Sequence, residues 1–407
     1  MPLPLEGIRI IDFSQAAQGP YASQMLSDAG ADVIKVEHPV GGDIVRVSGY
    51  TFHGGDSVYL LAMNRNKRSI CVDIKQPEGR ELILRLAERS DVLLQNFRPG
   101  VMERLGLGYA DVAARNPRII FMSASCYGDT GPWRDLGGGD IMVQGAGGLM
   151  SITGPLGGEP VAVGCHAVDL FGSLLVLYGI TMGLLVRERL GIGQEIKSNL
   201  LNASIAMQSF EATAYHINQR VPPRAGRSHM EFFPFGAYPT RDGKYFILSS
   251  GDWPLLCRLL ELPPAVANDE RFFTNRGRVD NREELTPIFE AATRCKTRDE
   301  WLRALAGAGL YGAPVLDYEE LFSHPQVAAN EMIVDVPHPA GPYKMPGIPV
   351  KFTATPGAVR SGPPAVGQHT EEVMLELGYT WDQIRDLSAR HVVGFVSADE
   401  GGVRLKT

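Results

Sequence analysis

The sequence predicts an α/β protein whose larger part is a mainly parallel, doubly wound sheet with helices on both faces. Over roughly the first third of the chain, short apolar runs alternate with amphipathic stretches. GIRIIDFS (7–14), DVIKVE (32–37), SICVDI (69–74), DVLLQNF (91–97) and RIIFMSAS (118–125) read as strands with helical patterns between them. The composition is that of a folded globular chain, 44% apolar and 21% charged. At 407 residues the chain is too long for one core, and about 150 residues per domain predicts two or three.

Each element has a local reason. A helix opens at Pro20, because proline is tolerated in a first turn. Residues 77–90 place Leu82, Ile83 and Leu86 on one helical face. The glycine-dense run 137–158 reads as loops passing close to other backbone or to a ligand. A long apolar helix begins near Asp169, and VPPRAGRSHM (221–230) is a connector. Beyond it lies a β-like stretch, 235–250, turning at Asp242-Gly243. Thr297 and Glu300 then make a capping box ahead of Trp301, Leu302 and Leu305. Residues 340–367 form a long crossing segment, and a final helix, 371–377, ends at Gly378.

Several function classes are excluded. The net charge is −7 and no basic run stands out, so nucleic acid is not the expected partner. Five widely spaced cysteines without a C-x-x-C argue against disulfides and structural zinc, and for a reducing compartment. No secretory signal is visible, and the uncharged run 170–186 reads as a buried helix rather than a membrane span. We therefore expect a cytoplasmic protein with no membrane partner and no metal. The loop after the first strand, Ser14 to Pro20, lacks G-x-G-x-x-G, which removes a dinucleotide site. No G-x-x-x-x-G-K, G-x-S-x-G or H-E-x-x-H occurs.

Three segments carry a resemblance: PLEGIRIIDFSQAAQGPYASQMLSDAGADVIKVE (4–37), NRNKRSICVDIKQPEGRELILRLAERSDVLLQNFRPGVMERLGLGY (64–109) and GQHTEEVMLELG (367–378). Together they resemble the class III CoA-transferases, the family of formyl-CoA and carnitine CoA-transferases and α-methylacyl-CoA racemases. The resemblance implies a Rossmann-like large domain formed by both chain ends, a smaller α+β domain, and two identical subunits interlocked like chain links. It divides the chain into 1–220, a linker and small domain over 221–330, and 331–407 crossing back to the large domain. The implied partners are an acyl-CoA and a small carboxylic acid. Coenzyme A is then a substrate, and no cofactor is permanently bound.

Coenzyme A brings roughly four negative charges and needs cations or helix N-termini to receive them. Asn96, Phe97 and Arg98 follow a strand, where doubly wound folds bind ligands, and Arg104 lies about one helical turn beyond Gly100. Val72 and Lys75 end another strand. By resemblance, Gln15, Ala17, Gln18, His38, Val72, Lys75, Asn96, Phe97, Arg98, Arg104, Gly137 and Asp140 fall where the family holds CoA. His38 departs from an Arg in formyl-CoA transferases, and Ala17 from a Gln. Lys67 and Arg68 read equally well as a solvated cationic face.

Asp169 is the one acid between Glu159 and Arg187. Before an apolar helix it has an ordinary explanation, capping the N-terminus, which would also hold it ionised. By resemblance it stands where the family carries its nucleophilic aspartate. Neighbouring His166 reads as structural. Arg46, Tyr59, His216, Arg224 and Arg227 could pair with a substrate carboxylate but read as surface or linker residues. The resemblance implies attack of Asp169 on the donor thioester, an aspartyl anhydride, and an aspartyl-CoA thioester. A dicarboxylic donor such as succinyl-CoA is the expected class. Two alternatives remain: a racemase or isomerase of the same family, and a non-catalytic CoA-binding subunit of a hetero-oligomer. Racemases of the family carry G-H-D where this chain has Gly138-Gly139-Asp140, so racemisation is not expected.

Overall fold

The computed structural model describes residues 2–249 and 251–394. Met1, Ser250 and residues 395–407, parts of the expected segments, lie outside it. The chain forms two compact units. The first comprises residues up to 147, 164–209 and the stretch from 328 onward; the second comprises 148–163 and 210–327.

The first unit is built on a seven-stranded sheet. Its strands are β1 (Arg9–Asp12), β2 (Asp32–Glu37), β3 (Arg68–Val72), β4 (Val92–Gln95), β5 (Ile120–Ser125), β6 (Gln194–Asn199) and β7 (Val393–Gly394). They lie in the order β7-β3-β2-β1-β4-β5-β6. All neighbours are parallel except β7, which is antiparallel to β3. Side chains alternate across the strands. Ile11, Ile34, Ile70, Leu93 and Phe121 enter one core with Leu82, Ile83 and Leu86 of α2 (Pro77–Glu88). Ile10, Val33, Val92, Leu94 and Ile120 enter the other, against Ala22 and Leu26 of α1 (Gln18–Asp28). Near-continuous apolar strands are what a sheet buried on both faces requires.

Two further helices position the site: α3 (Asp140–Ala146) and α4 (Ala167–Leu190). The run 137–158 is therefore not all loop. Three of its glycines stand at helix ends: Gly139 is the N-cap of α3, Gly147 its C-cap, and Gly148 the N-cap of the turn Leu149–Ile152. Helix α4 is long and apolar enough to cross a membrane, with a mean hydropathy of 1.8. It lies instead along the sheet. Val168, Gly172, Val176, Ile180 and Leu184, four apart, are buried. Gly183 lets the helix close on the sheet, since a Cβ there would meet Ile196 at 2.7 Å and Ile120 at 2.9 Å.

One expectation changes at the chain's end. The helix at 371–377, observed as α5 (Thr370–Glu376), is followed by α6 (Trp381–Ala389) and the edge strand β7. Thr380 and Gln383 form a capping box for α6. Residues 210–220 and 148–163, expected within the first 220-residue part, group with the second unit. Backbone bonds such as Gly226 N–H to Gly154 O (3.0 Å) tie the latter stretch there.

The second unit holds a three-stranded antiparallel sheet in the order Gly312–Val315, Tyr245–Leu248, Gly236–Pro239. Its core gathers Phe246, Phe289, Trp253 and Trp301. Thr297 and Glu300 form the expected capping box, and the Trp301 indole N–H donates to Thr293 O at 2.6 Å.

Candidate active site

Sheet order places the site. The order 3-2-1-4-5-6 reverses between β1 and β4, and doubly wound folds bind ligands outside the C-terminal ends of strands at such a point. Gln15 follows β1 and Asn96 follows β4. Their contact is reciprocal: the Gln15 N–H donates to Asn96 Oδ1 at 2.8 Å, and Asn96 Nδ2 donates to Gln15 O at 2.7 Å. His38 follows β2 and Lys75 follows β3, so four expected residues share one edge of the sheet.

Asn96, Phe97, Arg98, Cys126, Arg134 and the Gly137-Gly138 backbone border a cavity of about 260 Å³. Gly137 lets Arg98 lie against the backbone there: a Cβ would stand 2.3 Å from Nη2 of Arg98 and displace the guanidinium. Arg98, Arg104 and Lys75 are exposed, and among the described residues none of them makes an ion pair. Arg104 ends the short helix Val101–Arg104 and does not border the cavity. His38 is exposed, its ring closing a turn with the Val40 N–H at 3.0 Å. The Val72 side chain lies wholly in the sheet core, so only its backbone could meet a ligand. Ala17 and Gln18 are buried at the start of α1. The Gln18 Nε2 has no hydrogen-bond partner among the described residues and lies 3.1 Å from where a Cβ of Gly172 would stand. Gly172 is one turn along α4 from Asp169.

Asp169 sits in the first turn of α4 rather than ahead of it, and it does not cap the helix. Asp140 does. Asp140 Oδ1 accepts the Val168 N–H at 2.8 Å and the Asp169 N–H at 2.9 Å, and its Oδ2 accepts from Gln144 Nε2 at 2.5 Å. The Asp140 carboxylate, expected among the CoA contacts, is thus buried and engaged with backbone. Because the orphan N–H groups are taken by Asp140, the helix end does not hold Asp169 at an ordinary carboxylate value. Burial pushes it up to about 6; the Asp140 charge adds to this and His166 opposes it. At neutral pH it is still mostly ionised. His166 is exposed, edge-on to Tyr59 with centroids 5.6 Å apart, so it is not a core histidine.

Other readings are corrected by burial. Lys67 is not on a solvated face: its Nζ donates to Asp12 Oδ2 (3.1 Å), Asn64 Oδ1 (2.9 Å) and Pro20 O (2.9 Å), beneath the loop after β1. Arg68 is tied to Asp32, Glu372 and Glu376. Arg46 is bidentate on Glu37 and unavailable to a substrate. Sequence reasoning missed Arg134 and Cys126, since neither belongs to a motif. A lone arginine in an exposed loop carries no signal until Gly137 brings that loop against Arg98.

Comparison with known proteins settles the family. Residues 5–370 match the family described as CoA-transferase family III. The chain belongs to that family, and it is a CoA-transferase. A human relative of this CoA-transferase, named succinyl-CoA:glutarate CoA-transferase, is 37% identical over 378 residues, covering 92% of this chain and 86% of the relative. Succinate–glutarate CoA-transferase of Agrobacterium fabrum is 36% identical over 385 residues, covering 92% and 96%. The crystal structure of a CaiB/BaiF family protein from Brucella suis superimposes with a TM-score of 0.82 at 34% identity, covering 93% of this chain and all of that one.

Proposed function

We propose that this CoA-transferase moves CoA from a dicarboxylic acyl-CoA, of the succinyl-CoA class, to a second carboxylic acid, with Asp169 as nucleophile. One observation carries the reading: Asp169 is a buried carboxylate raised to about 6 yet mostly ionised at neutral pH. A partly desolvated carboxylate is a better nucleophile than a hydrated one, and its surroundings slow hydrolysis of what it forms. The substrate class comes from the relatives' names.

The steps balance without any further reagent. Asp169 attacks the thioester carbonyl; the C–S bond breaks, leaving CoA thiolate and an aspartyl anhydride. The thiolate attacks the aspartyl carbonyl; the anhydride C–O bond breaks, releasing the donor acid and leaving an aspartyl-CoA thioester. The acceptor acid then runs the two steps in reverse. Exchange between acids of similar thioester energy requires the enzyme to keep that energy, and the aspartyl thioester keeps it. Arg98 receives a CoA phosphate in this reading, with Lys75 and Arg104 further along the same edge. Gln15, Gln18 and Asn96 contact the remainder of the acyl-CoA in this reading.

A homodimer is part of the proposal. Leu174, Tyr178, Met182 and Leu185 of α4 are 41–63% exposed, an apolar face that a second copy would cover. The deciding experiment is incubation with succinyl-CoA without acceptor, followed by peptide mass spectrometry. The peptide containing Asp169 should gain the mass of CoA, and Asp169→Ala should lose both adduct and transfer. An Asp169→Ala protein transferring CoA at near wild-type rate would overturn the mechanism.

A further inference from the structure

The second unit contains a cavity of about 490 Å³, formed by residues 154–156, 225–228 and the helix Arg282–Thr293, and closed by Tyr238. Its charges do not balance. Glu290 is its one acid, and Arg227 is paired to it while stacking over the Tyr245 ring at 5.3 Å. Arg282 is half-buried beside them and, among the described residues, has no ion pair. Its Nη2 donates to two backbone carbonyls, His229 O at 3.0 Å and Met230 O at 2.8 Å, which fixes the guanidinium plane but leaves its charge unmatched. Arg224 packs its Cδ against Gly154 at the cavity wall, and its buried Nε has no hydrogen-bond partner among the described residues. Tyr238 is 2% exposed, and its hydroxyl also has no hydrogen-bond partner among the described residues.

A buried phenol hydroxyl without an acceptor is costly, and a half-buried guanidinium without an ion pair beside it offers a charge to match. We propose that this cavity of the second unit binds the carboxylate of a small free acid, received by the Arg282 guanidinium and the Tyr238 hydroxyl. A planar carboxylate suits a fixed guanidinium, and its second oxygen can accept from a phenol. Burial raises the Tyr238 phenol, so it stays a donor through neutral pH. Burial lowers Arg282, and the Tyr238 phenol and the Glu231 carboxylate oppose this only in part. Gly154 and Gly226 keep the floor open: both have positive φ, and a Cβ at Gly154 would come within 2.6 Å of Glu159 O.

The choice of acid rests on the transferase reading, but the site is measured without turnover. Glutarate is titrated calorimetrically into Asp169→Asn protein, alone and combined with Arg282→Gln or Tyr238→Phe. The expected result is binding in the parent, weakened about 10-fold or more by Arg282→Gln and a few-fold by Tyr238→Phe. Tyr238→Phe removes one oxygen and leaves the packing, so it decides the matter if Arg282→Gln fails to fold. A glutarate-soaked crystal should place the acid between the two side chains. Unchanged affinity in both variants would overturn the proposal and leave the transferase mechanism standing. Displacement of glutarate by coenzyme A or by inorganic phosphate at equal concentration would also overturn it, assigning the cavity to phosphate.

Discussion

Asp140 holds the backbone of Asp169: a single carboxylate oxygen accepts the N–H of Asp169 at 2.9 Å and that of Val168 at 2.8 Å. The same carboxylate therefore fixes the start of α4 and raises the acid it positions. The two effects separate by substitution. Asp140→Asn keeps an oxygen for the N–H groups and removes the charge. The rate of transfer in the parent should fall as pH drops through about 6, where Asp169 takes up a proton. In Asp140→Asn that acid limb should move to lower pH, with the fold intact. Asp140→Ala should lose the cap as well, at about 1 kcal/mol of stability. A pH–rate profile of both variants checks this; an unmoved limb in Asp140→Asn would mean Asp140 acts by geometry alone.

The sheet was legible because its signals are local. Ile10 and Ile11, or Val33 and Ile34, announce a strand buried on both faces whatever the rest of the chain does. Asp169 stood out for a similar reason, as one acid in a long apolar stretch. What the sequence hid is pairing across distance. Nothing near Asp140 says that it will reach α4 28 residues on. Nothing near Lys67 says that it will lie under the loop after β1, and nothing near Val393 that it will join β3. Those contacts are decided by the fold.

Asp169→Asn should stabilise the protein while abolishing transfer. Its folded value, about 6, lies above the ordinary 3.8, so the folded state disfavours the ionised form. For an acid raised in this way, the destabilisation is absent below about 3.8, grows through the interval up to 6, and is complete above it. The neutral amide avoids it. Denaturant unfolding should show Asp169→Asn more stable by about 1–3 kcal/mol at pH 7.5, with the gain vanishing near pH 4. Equal stability at both pH values would refute the assignment of Asp169 as a raised, buried acid.

Arg98 and Arg104 should separate in kinetics, although both follow β4. Arg98 borders the cavity with Asn96 and Gly137, whereas Arg104 is exposed beyond it. Arg98→Ala should raise KM for the acyl-CoA about 10- to 100-fold, the range of a lost charge-assisted bond, with kcat little changed. Arg104→Ala should raise it only a few-fold. Steady-state kinetics with the acyl-CoA varied measures both; the reverse order would move the phosphate site along the helix.

Lys67 and Asp12 form a fully buried ion pair under the loop that carries Gln15, Ala17 and Gln18. Burial acts to raise Asp12, but Lys67, then Lys35, outweigh it and hold the acid at about 2. Ser14 and Ser23 donate to the same carboxylate, and Lys35 reaches Ser14 O at 2.8 Å, so the loop is moulded around this charge. Lys67→Met leaves Asp12 with less than its full compensation, and a buried pair broken on one side costs about 3–5 kcal/mol. The sign with pH follows. Asp12 in the wild type adds stability above about 3.8 that is lost as pH falls toward 2; in Lys67→Met that contribution shrinks, so the deficit should be largest at neutral pH and smaller in acid. Asp12→Asn combined with Lys67→Met removes both charges and should recover much of the loss, because the two act as one unit. Thermal or urea unfolding of the three variants supplies the cycle. If the double variant is as unstable as the sum of the single ones, the pair is not coupled, and Lys67 supports the loop only through its bonds to Pro20 and Asn64.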